Sequence, residues 1–486
     1  MTTTTARKAA RGGLITLVGQ AAKMVLLLFN LVILGRLLTP LDFGLVAMVT
    51  AVIGVAELLR DFGITTASIQ AEHLSRKQKN NLFLINSGLG LGLAALTALF
   101  SQPLAAFYQD PRLIPITLAI SSVFLLNGIQ AQYQVEMTRT LRFKTLTITD
   151  VASNAIALCV AIIASILGAG YWALIMMQLV AAVLLLVSRM ATSEWHPGWP
   201  GRSGRIGRFL RYGGHLGLAQ FINYVSANAP SVLLGYAFGP VSLGAYSRAS
   251  QIATLPVNQI FGPLTNVALT TLVRLNNSEQ FERTIAKLQL MLGYAAAIGF
   301  SFLIVLAKPL VSLLLGHQWE SAVPLLQILC AGATFQAATF VSYWVFLAKG
   351  QTGSLLKYNL VTKGIVLLLT ILGTFFGVQG IVIGYSLGLV AAWPISLIWM
   401  SKNRIPSGPL FFGGFRFISL GVAAVSAGLV LPVAFDQLPT IISSTIGWAV
   451  GLLLPFVFRQ SRSDVGMILA TVSSMSTSNI RIGESK

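Results

Sequence analysis

Apolar residues in this chain fall in long runs separated by short polar breaks. The first run begins at Gly13 and extends for about 22 positions, close to the 20 or so residues an α-helix needs to cross the hydrocarbon of a bilayer. It is too long for a signal-peptide core of about 7–15 residues and lacks a convincing small-residue cleavage site, so it reads as an uncleaved first span. Further runs of about 17–25 residues begin near Phe43, Asn81, Leu113, Ile148, Tyr171, Phe209, Val241, Lys287, Val323, Leu356, Gly380, Phe417 and Thr440, giving about fourteen candidate spans. Runs of this length point to helices instead of barrel strands, because in lipid each backbone amide must be satisfied within its own segment.

The pattern repeats. Gly13, Gln20, Leu34, Gly35, Pro40 and Gly44 are matched two hundred residues later by Gly213, Gln220, Leu234, Gly235, Pro240 and Gly244. Weaker echoes join Phe107–Pro115 (FYQDPRLIP) to Leu315–Pro324 (LGHQWESAVP), and Gly170, opening span six, to Gly380, opening span twelve. Met190–Arg208 is the break richest in Pro, Gly and Arg in the first half and reads as a linker. Six spans precede it, so the second half enters the membrane in the same sense as the first, a parallel repeat. The expected organisation is an N-terminal six-helix lobe over 1–189, a cytoplasmic linker over 190–208 and a second six-helix lobe over 209–400. Two additional transmembrane helices over 401–458 and a cytoplasmic tail over 459–486 complete it.

Composition supports the class. With 55% hydrophobic and 10% charged residues and a mean hydropathy of +0.77, too little polar surface exists to coat a soluble globule of this size. The expected fold is an all-α polytopic membrane protein. The net charge of +19 would suggest nucleic acid if the cations formed one patch on a soluble domain, but they are scattered through short loops, so no nucleic-acid partner is expected. Of the 33 Lys and Arg residues, all but six lie on one side if the N-terminus is cytoplasmic. Arg36, Arg112 and Lys308 fall on the other side and Lys23, Arg248 and Lys363 within spans. Both termini are therefore expected in the cytoplasm.

The residues that resist a bilayer carry the functional reading. Thr16, Gln20, Lys23 and Asn30 are spaced 4, 3 and 7 apart, one polar stripe on the first helix. Lys23 is about 10 residues from either end of its run, roughly 15 Å, further than a lysine comfortably snorkels. A charge there costs about 2.5–3.5 kcal/mol on insertion scales, so it should face a wet interior or a partner. Gln220 and Asn223 occupy the places of Gln20 and Lys23 in span seven, as cavity lining or as helix-to-helix hydrogen-bonding groups. Arg248, Gln251 and Asn258, with Ser247 and Thr254 beside them, form a second stripe interrupted by Pro256 and Pro263. Arg248 either lines the cavity or snorkels outward, and Lys363 reads as snorkelling. Glu57, Arg60 and Asp61 stand at helical spacings near the inner end of span two, as an internal salt bridge or as an H⁺ or Na⁺ gate, and Asp150 at the start of span five is similarly open. Arg139–Lys144 (RTLRFK) reads as a cytoplasmic topology anchor that can attract anionic headgroups. Tyr171, Trp172, Trp195 and Trp199 read as interfacial anchors.

No catalytic constellation is visible. His73, His196, His215 and His317 are widely separated, Cys159 and Cys330 sit in apolar segments as small hydrophobes, and no phosphate-binding loop or metal spacing occurs. The expectation is a carrier with no cofactor and no metal, not an enzyme.

The ordered series GRLLTPLDFGLVA, LLRDFGI, FYQDPRL, RTLRFK, GAGYWALIMMQLV, EWHP and, in the second half, GHQWESAVPLLQIL resembles the polysaccharide transporter (Wzx-like) branch of the multidrug/oligosaccharidyl-lipid/polysaccharide (MOP) flippase superfamily, over nearly the whole chain. The resemblance implies a MATE- and MurJ-like V-shaped pair of six-helix lobes that opens alternately to either side of a bacterial inner membrane. It implies as cargo an undecaprenyl-pyrophosphate-linked oligosaccharide repeat unit for exopolysaccharide, capsule or O-antigen (lipopolysaccharide) assembly. Membrane lipid and a polysaccharide polymerase are the partners it suggests. Lipid II flippases of this superfamily have cationic cavities, which places Lys23 and Arg248 by span.

Sugar hydroxyls each cost on the order of kcal/mol to strip of water without a partner, so such cargo needs a polar cavity while its prenyl tail stays in lipid. Lys23 and Arg248 are the candidates for the pyrophosphate, and Gln20, Gln220, Asn223 and Gln251 for the sugar. Two alternatives stay open: an ion-coupled drug or toxin antiporter, against which a net cationic cavity argues, and a non-transporting scaffold for polysaccharide assembly.

Overall fold

A computed structural model describes residues 3–61, 68–69, 74–199, 207–275, 279–403, 405, 407–434, 439–454, 462–464 and 466. Among them every regular element is helical. Helix α1 (Thr3–Phe29) continues through a π-helical turn, Asn30–Leu34, and a last turn, Gly35–Leu37. It is followed by α2 (Pro40–Asp61), α3 (Arg76–Leu99), a short α4 (Ser101–Tyr108), α5 (Leu113–Arg139), α6 (Phe143–Ile166) and α7 (Trp172–Thr192). Helix α8 (Gly207–Pro256) is two helices run together at Gly239, whose φ of 78° breaks the helical path. A π-helical turn, Val257–Phe261, leads into α9 (Gly262–Leu275). The remainder comprises α10 (Glu279–Val305), a short α11 (Ala307–Leu314), α12 (Ala322–Ala348), α13 (Thr352–Gly373), α14 (Gly377–Lys402), α15 (Gly408–Ala434) and α16 (Thr440–Leu453).

Ten stretches among the described residues are long and apolar enough to cross a membrane, and one of these, Thr352–Lys402, is 51 residues long, enough for two crossings. The helices start at or before most of the expected positions, α10 at Glu279 instead of Lys287 and α15 at Gly408 instead of Phe417. In α10 a polar first turn extends the helix beyond its apolar run, whereas in α15 the helix begins in the apolar residues that precede Arg416. Likewise α14 starts at Gly377, where φ is +80°, and Gly380 lies within the helix against Gly373. The turn equivalent to Gly170, at φ +56°, is thus Gly377.

The TPLD sequence explains the start of α2. Pro40 supplies a fixed φ where no amide donor is needed. Thr39 and Asp42 close a reciprocal cap, with the Thr39 amide and hydroxyl donating to Asp42 Oδ2 at 2.9 and 2.7 Å. Ser75 and Gln78 form the same kind of capping box at α3. The short helices α4 and α11 occupy matching places, after α3 and α10, and end at left-handed residues, Gln109 (φ 56°) and Gly316 (φ 100°). The echo between Phe107–Pro115 and Leu315–Pro324 is therefore a structural one.

The helices group into two compact units, Met1–Ser247 with Leu314–Gln318, and Arg248–Leu313 with Trp319–Lys486. Residues 209–247, assigned to the second lobe by the repeat, pack within the first unit. There the repeated hairpins meet: Gly44 lies against the Pro240 carbonyl and Gly244 against the Pro40 carbonyl. Gly35 lies against Leu315 and Gly235 against Tyr108, so the end of each short helix covers a repeated glycine. The Tyr224 hydroxyl donates to the carbonyls of Thr50 and Ala51 at 3.1 and 3.0 Å. Small-residue contact recurs elsewhere, as at Gly90 on Gly128, the expected means of bringing helices together where water supplies no hydrophobic drive. Leu99, Ile166, Leu167 and Phe375 are among many large apolar side chains left exposed, as a lipid-facing exterior requires.

Candidate functional site

On the polar stripe of α1, Lys23 faces α6. Gly19 allows this approach, since a β-carbon there would meet the side chain of Thr147. One turn on, Lys23 Nζ lies 2.5 Å from Asp150 Oδ2. The other carboxylate oxygen of Asp150 accepts from Arg189 Nη2 on α7 at 2.6 Å. Arg189 also donates to Gln130 and, at 3.1 Å, to Gln134 on α5. Three helices thus meet at one carboxylate, and a fourth, α5, braces its buried arginine.

Exposure differs sharply within this group. The side chains of Lys23, Asp150 and Arg189 are 46%, 22% and 4% exposed. Arg189 is the buried post, Asp150 the bridge and Lys23 the member that reaches open space. Two cations share one anion, so the group carries net charge +1. This arrangement answers the question Lys23 posed in the sequence: it has both a partner and an open side. It also joins two residues given separate roles, Lys23 for cargo and Asp150 for an ion.

Arg189 was missed, because it counts among the basic residues following the sixth span. It lies in the last turn of α7 instead. The signal for it was Gln130 and Gln134, four apart on one helical face, two amide oxygens in search of a donor.

The remaining sequence candidates are dispersed. Gln20, Gln220 and Asn223 are exposed on the first unit. Asn30 donates to Met177 Sδ at 3.1 Å. Arg248 and Gln251 belong to the second unit, one turn apart and hydrogen-bonded to each other, and Arg248 is only 6% exposed. Glu57 is exposed on α2 and stands outside the Lys23–Asp150–Arg189 group. The side chains of Arg60 and Asp61 lie outside the described residues. Trp195 is no interfacial anchor, being 7% exposed with its ring edge-on to Phe83 and Tyr133 at 5.9 and 5.6 Å. Trp199, at 93%, is exposed. Among the described residues no cluster of His, Cys, Asp and Glu could hold a metal.

The profile of a family described as polysaccharide biosynthesis protein matches residues 33–324, more than half of the chain. The chain belongs to the polysaccharide biosynthesis protein family. Among its relatives in this family's field, the lipopolysaccharide biosynthesis protein WzxC of Escherichia coli (strain K12) is 23% identical over 388 residues, covering 78% of each chain. The succinoglycan biosynthesis transport protein ExoT of Rhizobium meliloti (strain 1021) is 24% identical over 322 residues, 65% of each. In structure the chain resembles the lipid II flippase MurJ in an inward closed conformation, with a TM-score of 0.70 at 12% identity over 90% of this chain and 98% of that one. It also resembles an inward-facing multidrug resistance MATE family transporter of the MOP superfamily, with a TM-score of 0.58 at 14% identity, over 78% and 94%. The Wzx-like resemblance and the MurJ/MATE-like fold expected from the sequence are thus both found. This family member is a multi-pass membrane protein with a MurJ- and MATE-like fold.

Proposed function

We propose that this family member is a flippase that moves undecaprenyl-pyrophosphate-linked oligosaccharide repeat units across the bacterial inner membrane by alternating access, with both termini cytoplasmic. The observation that carries the reading is the shared carboxylate of Asp150. An arriving pyrophosphate can take Lys23 without leaving Asp150 alone, because Arg189 holds the other oxygen at 2.6 Å. Recognition therefore exchanges one ion pair for another and strands no buried charge, which would cost several kcal/mol. Arg248 supplies the cation of the second unit, and Gln20, Gln220, Asn223 and Gln251 supply hydrogen bonds for sugar hydroxyls that leave water.

Asp150 is also where H⁺ or Na⁺ coupling enters. A proton or sodium ion on its carboxylate weakens its hold on Lys23 and so raises the affinity for an anion. Delivery of flipped units to a polysaccharide polymerase would complete the role. The test is polymer export in cells with expression matched. Lys23→Ala with Arg248→Ala should abolish most export; export at the wild-type level would make the charge assignment wrong.

A further inference from the structure

A charged cavity lies away from the Lys23 group, where the ends of α3, α5, α6 and α7 meet. It measures about 310 Å³ and is lined by Arg76, Glu136, Arg142, Glu194, Trp195 and His196 among others. A trapped water needs only about 10–15 Å³ of such space, so this cavity has room for a ligand the size of a headgroup. Its walls are built. Glu136 is held by Lys79 at 2.6 Å. The segment after α7 is pinned by the Trp195 ring and by Asn80 Nδ2 donating to the Trp199 carbonyl at 3.1 Å. Arg142 donates to the Thr192 carbonyl at 2.9 Å and lies 3.2 Å from Glu194.

Its hydrogen bonding is incomplete in two opposite senses. Glu136 Oε2, an acceptor, and Trp195 Nε1, a donor on a side chain more than nine-tenths buried, both lack partners among the described residues. Arg76, exposed at the start of α3, has no carboxylate within ion-pair distance among the described residues. Buried polar atoms left unpaired are costly and call for a partner. One ligand that offered both an anion with acceptor oxygens and a nearby donor would satisfy all three. A simple anion would not, since it would face Glu136 and Glu194. A simple cation would face Arg76 and Arg142.

We propose that this cavity binds the headgroup of an amine-bearing membrane lipid, phosphatidylethanolamine. Its phosphodiester sits between Arg76 and Arg142 and its ammonium is turned to Glu136 and Glu194. The depth agrees: Arg76 opens one span, Arg139 and Thr192 close two others and Phe143 opens a fourth, so the cavity lies where spans meet the headgroup layer. The basic stretch Arg139–Lys144 then acts as part of a mixed-charge lipid site, beyond its role in topology.

The wild-type chain decides first. Native mass spectrometry of the full-length protein in detergent, with dioleoyl phosphatidylethanolamine, phosphatidylcholine or phosphatidylglycerol added at equal concentration, should show phosphatidylethanolamine retained about tenfold over either of the others. Arg76→Ala and Glu194→Gln, both at exposed positions, should bring it down to the level of phosphatidylcholine. Lys287→Ala, on the other unit, should leave the preference intact. Equal retention of phosphatidylcholine overturns amine recognition, and preference for phosphatidylglycerol reduces the site to a basic surface. Displacement of the lipid by soluble phosphoethanolamine or inorganic phosphate at equal concentration means a soluble ligand and also overturns the proposal.

Discussion

The amide nitrogen of Gly44 lies 3.1 Å from the point where a β-carbon on Gly244 would stand. Equivalent residues of the two hairpins therefore face each other backbone to backbone, each also against the carbonyl of the other hairpin's proline. A carbonyl cannot swing aside as a flexible side chain can, so a methyl at either position forces the helices apart.

Gly44→Ala and Gly244→Ala should each destabilise the protein by about 1–3 kcal/mol, outweighing the gain of up to about 1 kcal/mol in helix propensity. Because both strain one contact, the double variant should cost less than the sum. Gly88→Ala, where a β-carbon would meet nothing within 4 Å, serves as the control. Thermal unfolding of the purified protein followed by size-exclusion fluorescence reads all four.

The hairpins were legible because their chemistry is local. Pro40 with Thr39 and Asp42, and Pro240 after Gly239, mark helix starts in any setting, and the repeat paired Gly44 with Gly244 without saying that they touch. The start positions of spans were legible to within about three turns, since hydropathy reports lipid contact and the helices begin before it. Arg189 and Trp195 were not. Counting charges at span ends treats each as solvated, and nothing along the chain says that one arginine turns inward to Gln130, Gln134 and Asp150. That is a property of three helices meeting, which hydropathy does not encode. Asp464 was hidden for the same reason: it falls in a polar stretch that reads as tail.

At the loop between α4 and α5, the guanidinium of Arg112 donates to both oxygens of Asp110, Nε to Oδ1 at 3.0 Å and Nη2 to Oδ2 at 2.8 Å. These hydrogen bonds hold the Asp110 carboxyl below its ordinary value, burial opposing them in part. The unfolded chain thus takes up the proton first, at about pH 3.9. The stabilisation is complete above that pH and is lost as pH falls through it towards the depressed folded value. Unfolding temperatures measured from pH 6 to pH 3 should show Asp110→Asn less stable than the parent at pH 6, with the gap closing in the acid. A constant gap would mean the carboxylate's charge is not what stabilises the turn.

Asp464 offers a stability test in the second unit. Its side chain is 3% exposed, with both oxygens accepting from Arg416 Nη1 at 2.6 and 2.7 Å and one from the Tyr294 hydroxyl at 3.1 Å. Residues 462–464 therefore dock onto α10 and α15. Arg416→Ala leaves a buried carboxylate without its cation and should cost about 3–5 kcal/mol. Tyr294→Phe should cost about 1 kcal/mol. Arg416→Ala with Asp464→Ala should be milder than Arg416→Ala alone, since no charge is then stranded. If the double variant were the worse one, the contact would be held by packing and not by charge.

The Lys23–Asp150–Arg189 group makes the sharpest separation between stability and transport. Lys23 is half exposed, and its removal leaves Asp150 still paired with Arg189, so Lys23→Ala should cost under about 1 kcal/mol. Asp150→Ala removes the only carboxylate that Arg189 contacts among the described residues and leaves a guanidinium 4% exposed, at a cost of about 3–5 kcal/mol. Adding Arg189→Ala should recover much of that loss. Export should follow a different order. Lys23→Ala should lose most of its activity while folding normally, and Lys23→Arg, which keeps a cation on the same stripe, should retain more. Measuring unfolding temperature and export on the same set separates the two roles. If Lys23→Ala proved as destabilised as Asp150→Ala, Lys23 would be part of the structural post, and the open side of the group would have no claim on cargo.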